Sequence, residues 1–179
     1  MKDNPKEFDF NTCLQRISVK DTDALETLYR EMKDPVYRYA LTLLQDHGLA
    51  EDAMQITFLK IMANADTYRS GMTGKAWIMA IVRNTCHDLR QKRTPVAEDD
   101  VINSVKDENV IDALTDVIAV REAFRKLSPE EREIMSLYIF SGLRQTEIAQ
   151  VMKIPYIKVR SKYGYAVKKL RKELGQDEK

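Results

Sequence analysis

From Lys153 to Lys172 the chain carries eight Lys/Arg residues and no Asp or Glu, and its apolar residues keep helical time. Val159, Tyr163, Ala166 with Val167, Leu170 and Leu174 recur every three or four residues, the period of one packed helix stripe. Lys158, Lys162, Tyr165, Lys169 and Lys172 form a second stripe about 100° round the same helix. One side is suited to docking on a protein core. The side beside it offers ammonium groups and a phenol to phosphates. A basic amphipathic helix also suits a membrane surface or a partner protein, so the residues before it decide.

Those residues read LSPEEREIMSLYIFSGLRQTEIAQVMKIP. Ser128 as N-cap, Pro129 at the first helical position and Glu131 at the third predict a capping box with a proline start. Leu127, Ile134, Leu137 and Tyr138 supply an apolar face, and Gly142 is placed to stop the helix. A short helix follows over Gln145 to Met152, with Ile148, Ala149, Val151 and Met152 inward. Lys153 and Ile154 make the turn and Pro155 opens the basic helix. This is the helix-turn-helix plan, whose second helix enters the major groove.

The 179 residues suffice for one domain or two small ones. Six glycines and five prolines are few, and strand-like alternation is absent, so the expected class is all-α. No apolar run approaches the roughly 18 residues of a membrane span, and MKDNPKEFDF does not read as a signal peptide. Membrane insertion is not expected. Cys13 and Cys86 are isolated, and reduced thiols in a cytoplasmic protein are expected. No nucleophile–base pair, phosphate loop or metal-ligand spacing points to an enzyme, a metal or a cofactor.

Charge marks the boundaries. Residues 1–93 hold 14 Lys/Arg against 13 Asp/Glu, and residues 121–179 hold 14 against 8. Residues 94–120 hold one Lys against seven acids. A helical module over 1–93, an acidic linker over 94–112 and a second helical module over 113–179 follow, with the latter's first helix starting near Asp112 to Asp116. The linker reads either as a solvated tether or as a negative segment able to occupy a path lined for nucleic acid.

The first module reads as four helices. Asp21 or Thr22 caps one running to about Met32, and Asp34-Pro35 opens a second that ends before Gly48. LAEDAMQITFLKIMANA makes a third, apolar at Ala53, Met54, Phe58, Ile61, Met62 and Ala65. DTYRSGMTG is a loop. KAWIMAIVRNTCHDLRQKR makes the last, with Trp77, Ile78, Ile81, Val82, Cys86 and Leu89 inward and Lys75, Arg83, His87 and Arg90 on an exposed flank.

Three segments in this order, EDAMQITFLKIM, GKAWIMAIVRNTCHDLRQKR and the SPEE…EIAQVM–KIP–VRSK series, resemble the extracytoplasmic-function sigma factors of bacterial RNA polymerase. The resemblance spans roughly residues 20–93 and 115–174. It implies a factor that directs core polymerase to promoters and helps open them, with an anti-sigma protein as a further partner. It implies that Asp52 and Gln55, with Leu59 on the same side of the third helix, meet the clamp helices of the polymerase β′ subunit. From spacing alone that side reads as a solvated face, and only the resemblance reverses this.

The resemblance also assigns the loop from about Asn64 to Lys75, and the helix after it, to the minus-ten promoter element. Capturing unpaired bases needs aromatic, amide and basic groups. Asn64, Tyr68, Arg69, Lys75, Trp77, Arg83, Asn84 and His87 are the candidates, Trp77 being either core or a stacking group. The minus-thirty-five element falls to the basic helix. Lys158, Arg160, Ser161, Lys162 and Tyr165 would lie nearest the groove, Arg144 and Lys169 on phosphates, and Arg160 on a guanine. The chain departs from the family pattern where Lys153 replaces the usual turn glycine and where Tyr156-Ile157-Lys158 replaces an acidic-Gly-Thr start.

Two other classes fit parts of the chain. A free-standing helix-turn-helix regulator has no need of the Asp52/Gln55 face. A scaffold whose basic helix binds an acidic partner or membrane leaves the helix-turn-helix unexplained.

Overall fold

The computed structural model describes residues 8–69, 71–92 and 122–175. Seven α-helices are bounded within them: α1 (Phe10–Ser18), α2 (Thr22–Leu44), α3 (His47–Asn64), α4 (Gly74–Lys92), α5 (Pro129–Ser141), α6 (Gln145–Met152) and α7 (Tyr156–Glu173). A 3-10 turn, Ala65–Thr67, follows α3, residues 122–125 are helical, and no strand occurs among the described residues. The class is all-α. The expected acidic linker, 94–112, and the helix start near Asp112 lie outside the described residues.

Two helices expected around Pro35 are one. α2 runs unbroken from Thr22 to Leu44 with Pro35 inside it. A proline there removes one backbone hydrogen bond and crowds the preceding turn, at about 3 kcal/mol. Leu28, Met32, Val36, Tyr39 and Ala40 all lie buried along one side of α2. At ~1.5–3 kcal/mol for each large apolar side chain buried, packing outweighs the proline.

The sequence reading missed α1. The Asp9 side chain caps it, accepting from the N–H groups of Asn11 and Thr12, and Cys13, Leu14 and Ile17 are its buried stripe. Met62, expected inward, points out.

In the C-terminal part the local signals held, except that Tyr138, expected on the apolar face of α5, is exposed. The Ser128 hydroxyl accepts from the Glu131 N–H while the Glu131 carboxylate accepts from the Ser128 N–H. Gly142 ends α5 at φ +64°. α6 spans the expected residues, and Lys153 takes the left-handed turn position at φ +56°.

The two helical groups share one core. Ile134, Leu137, Leu143, Ile148, Val151, Met152 and Val159 belong to the same buried cluster as Leu28, Val36, Ile61, Ile78 and Val82. α5 packs on α2, and α6 packs on α4. A smaller cluster of Leu127, Met135 and Ala166 fastens α7 to α5.

Candidate polymerase and nucleic-acid interfaces

The inner side of α3 is fixed by Ala50, Ala53, Thr57, Phe58 and Ile61, all buried. Its start is anchored by the Asp46 carboxylate, which accepts from the Leu49 N–H at 2.9 Å, and by a 2.7 Å hydrogen bond between Tyr37 Oη and His47 Nδ1. The opposite side therefore faces out as a set. Asp52 and Gln55 are exposed, with Leu59 60 % and Met62 43 % exposed beside them. These four positions fall at three- and four-residue steps, so they form one stripe. Two large apolar side chains flanked by a carboxylate and an amide make a surface suited to covering by another protein.

The residues proposed for the minus-ten element are spread over two environments. Asn64 and Arg69 are exposed at the end of α3 and the loop after it. Asn64 Nδ2 donates to the Lys60 carbonyl, and Arg69 Nη1 donates to the carbonyls of Asp66 and Tyr68. Tyr68 Oη donates to Asn11 Oδ1 at 2.7 Å and to the Met72 carbonyl at 3.0 Å, so α1 braces the loop. Burial, with Asp9 nearby, raises the phenol's pKa. Trp77 is half-buried against the core and meets Tyr68 edge-on, ring centroids 5.7 Å apart. Lys75 lies 5.2 Å over the Phe10 ring. Asn84 is exposed, and His87 is half-buried with Nε2 enclosed and unbonded among the described residues.

Arg83 departs from expectation. Instead of lying on an exposed flank it is 20 % exposed and donates from Nε to Glu133 Oε1 at 2.6 Å. Tyr39 Oη donates to the same oxygen at 3.0 Å. The carboxylate comes from α5 and both donors from the first helical group, so a largely buried charge pair joins the two. Burial pushes the Tyr39 phenol well above its ordinary value, and the Glu133 charge adds to this. The nearby Cys86 thiol is pushed up to about 12 by burial, again with a contribution from Glu133. Two further bonds cross the seam: Thr73 Oγ1 donates to Glu147 Oε1 at 2.7 Å, and Gln150 Nε2 to the Gly71 carbonyl at 3.4 Å. Glu147 also accepts from the Arg144 N–H at 2.8 Å, capping α6.

On α7 the predicted residues divide into two faces. Lys158 and Lys162 reach back to Glu130 of α5, at 2.5 and 3.5 Å, and Lys169 reaches Glu131 at 2.7 Å. The bond from Lys158 lowers the Glu130 pKa despite some desolvation. Burial would raise that of Glu131, but the Lys169 and Ser128 bonds together bring it below its ordinary value. Arg160, Ser161 and Tyr165 face out instead, lining a shallow, open groove on the helix surface with Ile157, Gly164 and Lys168. The last three were missed, although Ile157 stands one turn before Arg160 in the sequence. Arg144 is exposed at the start of α6.

A short helix, a left-handed turn and a longer helix with exposed basic and polar groups form a helix-turn-helix. Residues 28–95 match the family model for Sigma-70 region 2, and residues 123–172 that for Sigma-70, region 4. The chain is 30% identical over 162 residues to the ECF RNA polymerase sigma factor SigL of Mycobacterium tuberculosis, covering 84% of this chain and 90% of that one. The chain belongs to the extracytoplasmic-function (ECF) sigma factors. Such a factor directs RNA polymerase in transcription initiation, and this is the chain's function. RNA polymerase sigma factor SigZ of Bacillus subtilis is 28% identical over 142 residues, 77% of this chain and 80% of that one. In fold, this ECF factor resembles CnrH as solved with the cytosolic domain of CnrY. The TM-score is 0.70 at 20% identity, covering 96% of this chain and 100% of that one. Among the described residues no helix is long and apolar enough to cross a membrane.

Proposed function

We propose a division of labour within this ECF sigma factor. Residues 1–93 hold the polymerase and take the minus-ten element, residues 94–112 tether, and residues 113–179 read the minus-thirty-five element. The Asp52, Gln55 and Leu59 stripe, extended by Met62, docks on the β′ clamp helices of core polymerase. Asn64, Arg69 and Asn84 offer exposed polar and basic groups to the opened minus-ten strand. Lys75, Trp77, Arg83 and His87 become available to it only as the α4 surface is uncovered. α7 enters the major groove, with Arg160 on a base edge and Arg144 on phosphate. The factor lends specificity and strand opening to the polymerase and carries no catalysis of its own. It works in the cytoplasm, and an anti-sigma protein is a fitting partner, since the sigma factor RpoE of Bartonella quintana, similar in fold, was solved in complex with the anti-sigma factor NepR.

The observation that carries this reading is the outward α3 stripe on a chain that also bears an exposed helix-turn-helix. A free-standing regulator has no use for such a stripe. The test is Asp52→Ala with Gln55→Ala. Both side chains are exposed, so stability should change by no more than about 0.5 kcal/mol, while co-elution with core polymerase is lost. A double variant that co-elutes as well as the parent would move the polymerase contact elsewhere.

A further inference from the structure

Two residues of α7 do not serve the fold. Ile157 is 79 % exposed, a large apolar side chain standing in water within a basic run. Gly164 sits mid-helix, where glycine is disfavoured by roughly 1 kcal/mol relative to alanine. A Cβ built on it meets nothing within 4 Å, so no internal neighbour requires the glycine. Both line the same open groove as Arg160, Ser161, Tyr165 and Lys168. No acid lines that groove, and neither Arg160 nor Lys168 has an ion-pair partner among the described residues. The neighbouring Lys158 and Lys162 are held by Glu130. The groove thus combines free positive charge with an apolar tip and a dent in the helix surface. Its charge complements phosphate-walled duplex DNA.

We propose that Ile157 and Arg160 together read a thymine and a guanine within two base steps of each other in the minus-thirty-five element, with Gly164 allowing the helix its close approach. This rests on the reading of α7 as the major-groove helix. Ile157 and Arg160 are three residues apart, so their Cβ atoms lie about 5–6 Å from each other on one face. Stacked bases repeat every ~3.4 Å, so the two side chains reach neighbouring pairs. The guanidinium presents paired donors to guanine O6 and N7. The thymine C5-methyl is the apolar feature of the major groove, and it is what Ile157 can recognise. Ile157 lies in the first turn of α7, the part of a recognition helix that meets base edges. Farther along the groove, Gly164 removes the side chain that would hold the backbone away, and Lys168 faces the flanking phosphates.

The test begins by selecting duplexes from a randomised library with holoenzyme, full-length chain on bacterial core polymerase. Each thymine of the recovered minus-thirty-five element is then replaced singly by uracil, which removes only the methyl group. With the parent chain, one uracil should weaken binding about fourfold, the factor equivalent to ~0.8 kcal/mol for a buried methyl-sized group. Ile157→Ala should lose a similar factor on the thymine duplex and become indifferent to uracil at that position. A flat uracil scan with the parent, or undiminished uracil sensitivity in Ile157→Ala, overturns the role of Ile157. In either case a recurring element leaves the reading of α7 standing. Failure to recover any recurring minus-thirty-five element overturns that reading and this one together. Gly164→Ala should melt higher than the parent yet bind the selected duplex more weakly. Equal or tighter binding would remove the close approach.

Discussion

Lys153 is a lysine in a backbone conformation that suits glycine. Its φ of +56° lies in the left-handed region, which costs an L-residue roughly 1–2 kcal/mol. The turn between α6 and α7 keeps it because the Lys153 and Ile154 N–H groups close the end of α6 onto the carbonyls of Gln150 and Ala149. Lys153→Gly should raise stability by about 0.5–1 kcal/mol, the strain released less the extra freedom glycine gives the unfolded chain. Thermal melting checks this, and a lower melting temperature would mean that the lysine side chain contributes more than its strain. Residue-level signals were legible wherever chemistry was local, as at Lys153 and Ser128. They failed where a distant neighbour decided the outcome. Nothing in the spacing of α4 could place Arg83 under Glu133, fifty residues later in the chain. Nor could it show that Met62 faces out while Ile61 beside it is fully buried.

Among the elements, α5 is the support on which α7 rests. Glu130 and Glu131 of its first turn accept from three lysines of α7, and Glu131 also closes its own capping box. Both carboxyls titrate below their ordinary value, so they bind protons less readily folded than unfolded. Their contribution is therefore full above the ordinary glutamate pKa of ~4.3 and fades as pH falls through the depressed values. The melting temperature should decline below about pH 4.3, and Glu130→Gln with Glu131→Gln should flatten that part of the profile. An unchanged slope would show that other carboxylates govern the acid limb. At neutral pH, Glu131→Ala should cost about 0.5–2 kcal/mol, the range for losing a cap. The capping box, the glycine stop and the bounds of α6 could all be read from sequence because each depends on adjacent residues. α2 could not, because Pro35 is a local stop signal overruled by a buried face that becomes visible only once α3 and α5 are packed against it. The ion pairs of the lysine stripe were illegible for a similar reason. Periodicity places Lys158 and Lys162 on a side of the helix, but the glutamates that hold them belong to another element.

For the molecule as a whole, the seam is the dominant feature. A compact chain of this length has a radius of gyration near 16 Å, a body roughly 40 Å across. The two promoter elements are about 25 base pairs apart by their own numbering, roughly 85 Å of duplex at ~3.4 Å per step. On the proposed reading the packed form cannot span them, so the seam opens when the factor works. Glu133→Ala leaves Arg83 charged and enclosed and the Tyr39 hydroxyl without its acceptor, which should destabilise the packed form by about 3–5 kcal/mol. Denaturant melting measures that loss, and the same variant should bind core polymerase more tightly than the parent. Unchanged or weaker binding would mean that polymerase does not have to part the two halves. If only one molecule in a hundred is open at rest, apparent affinity for polymerase is reduced about a hundredfold. Linkage works in both directions: whatever favours the joined state opposes polymerase by the same factor. An inhibitor of this factor therefore need not lie over the α3 stripe or the α7 groove. A small clasp bridging α4 and α6 across Thr73 and Glu147 would silence both surfaces while leaving each of them bare.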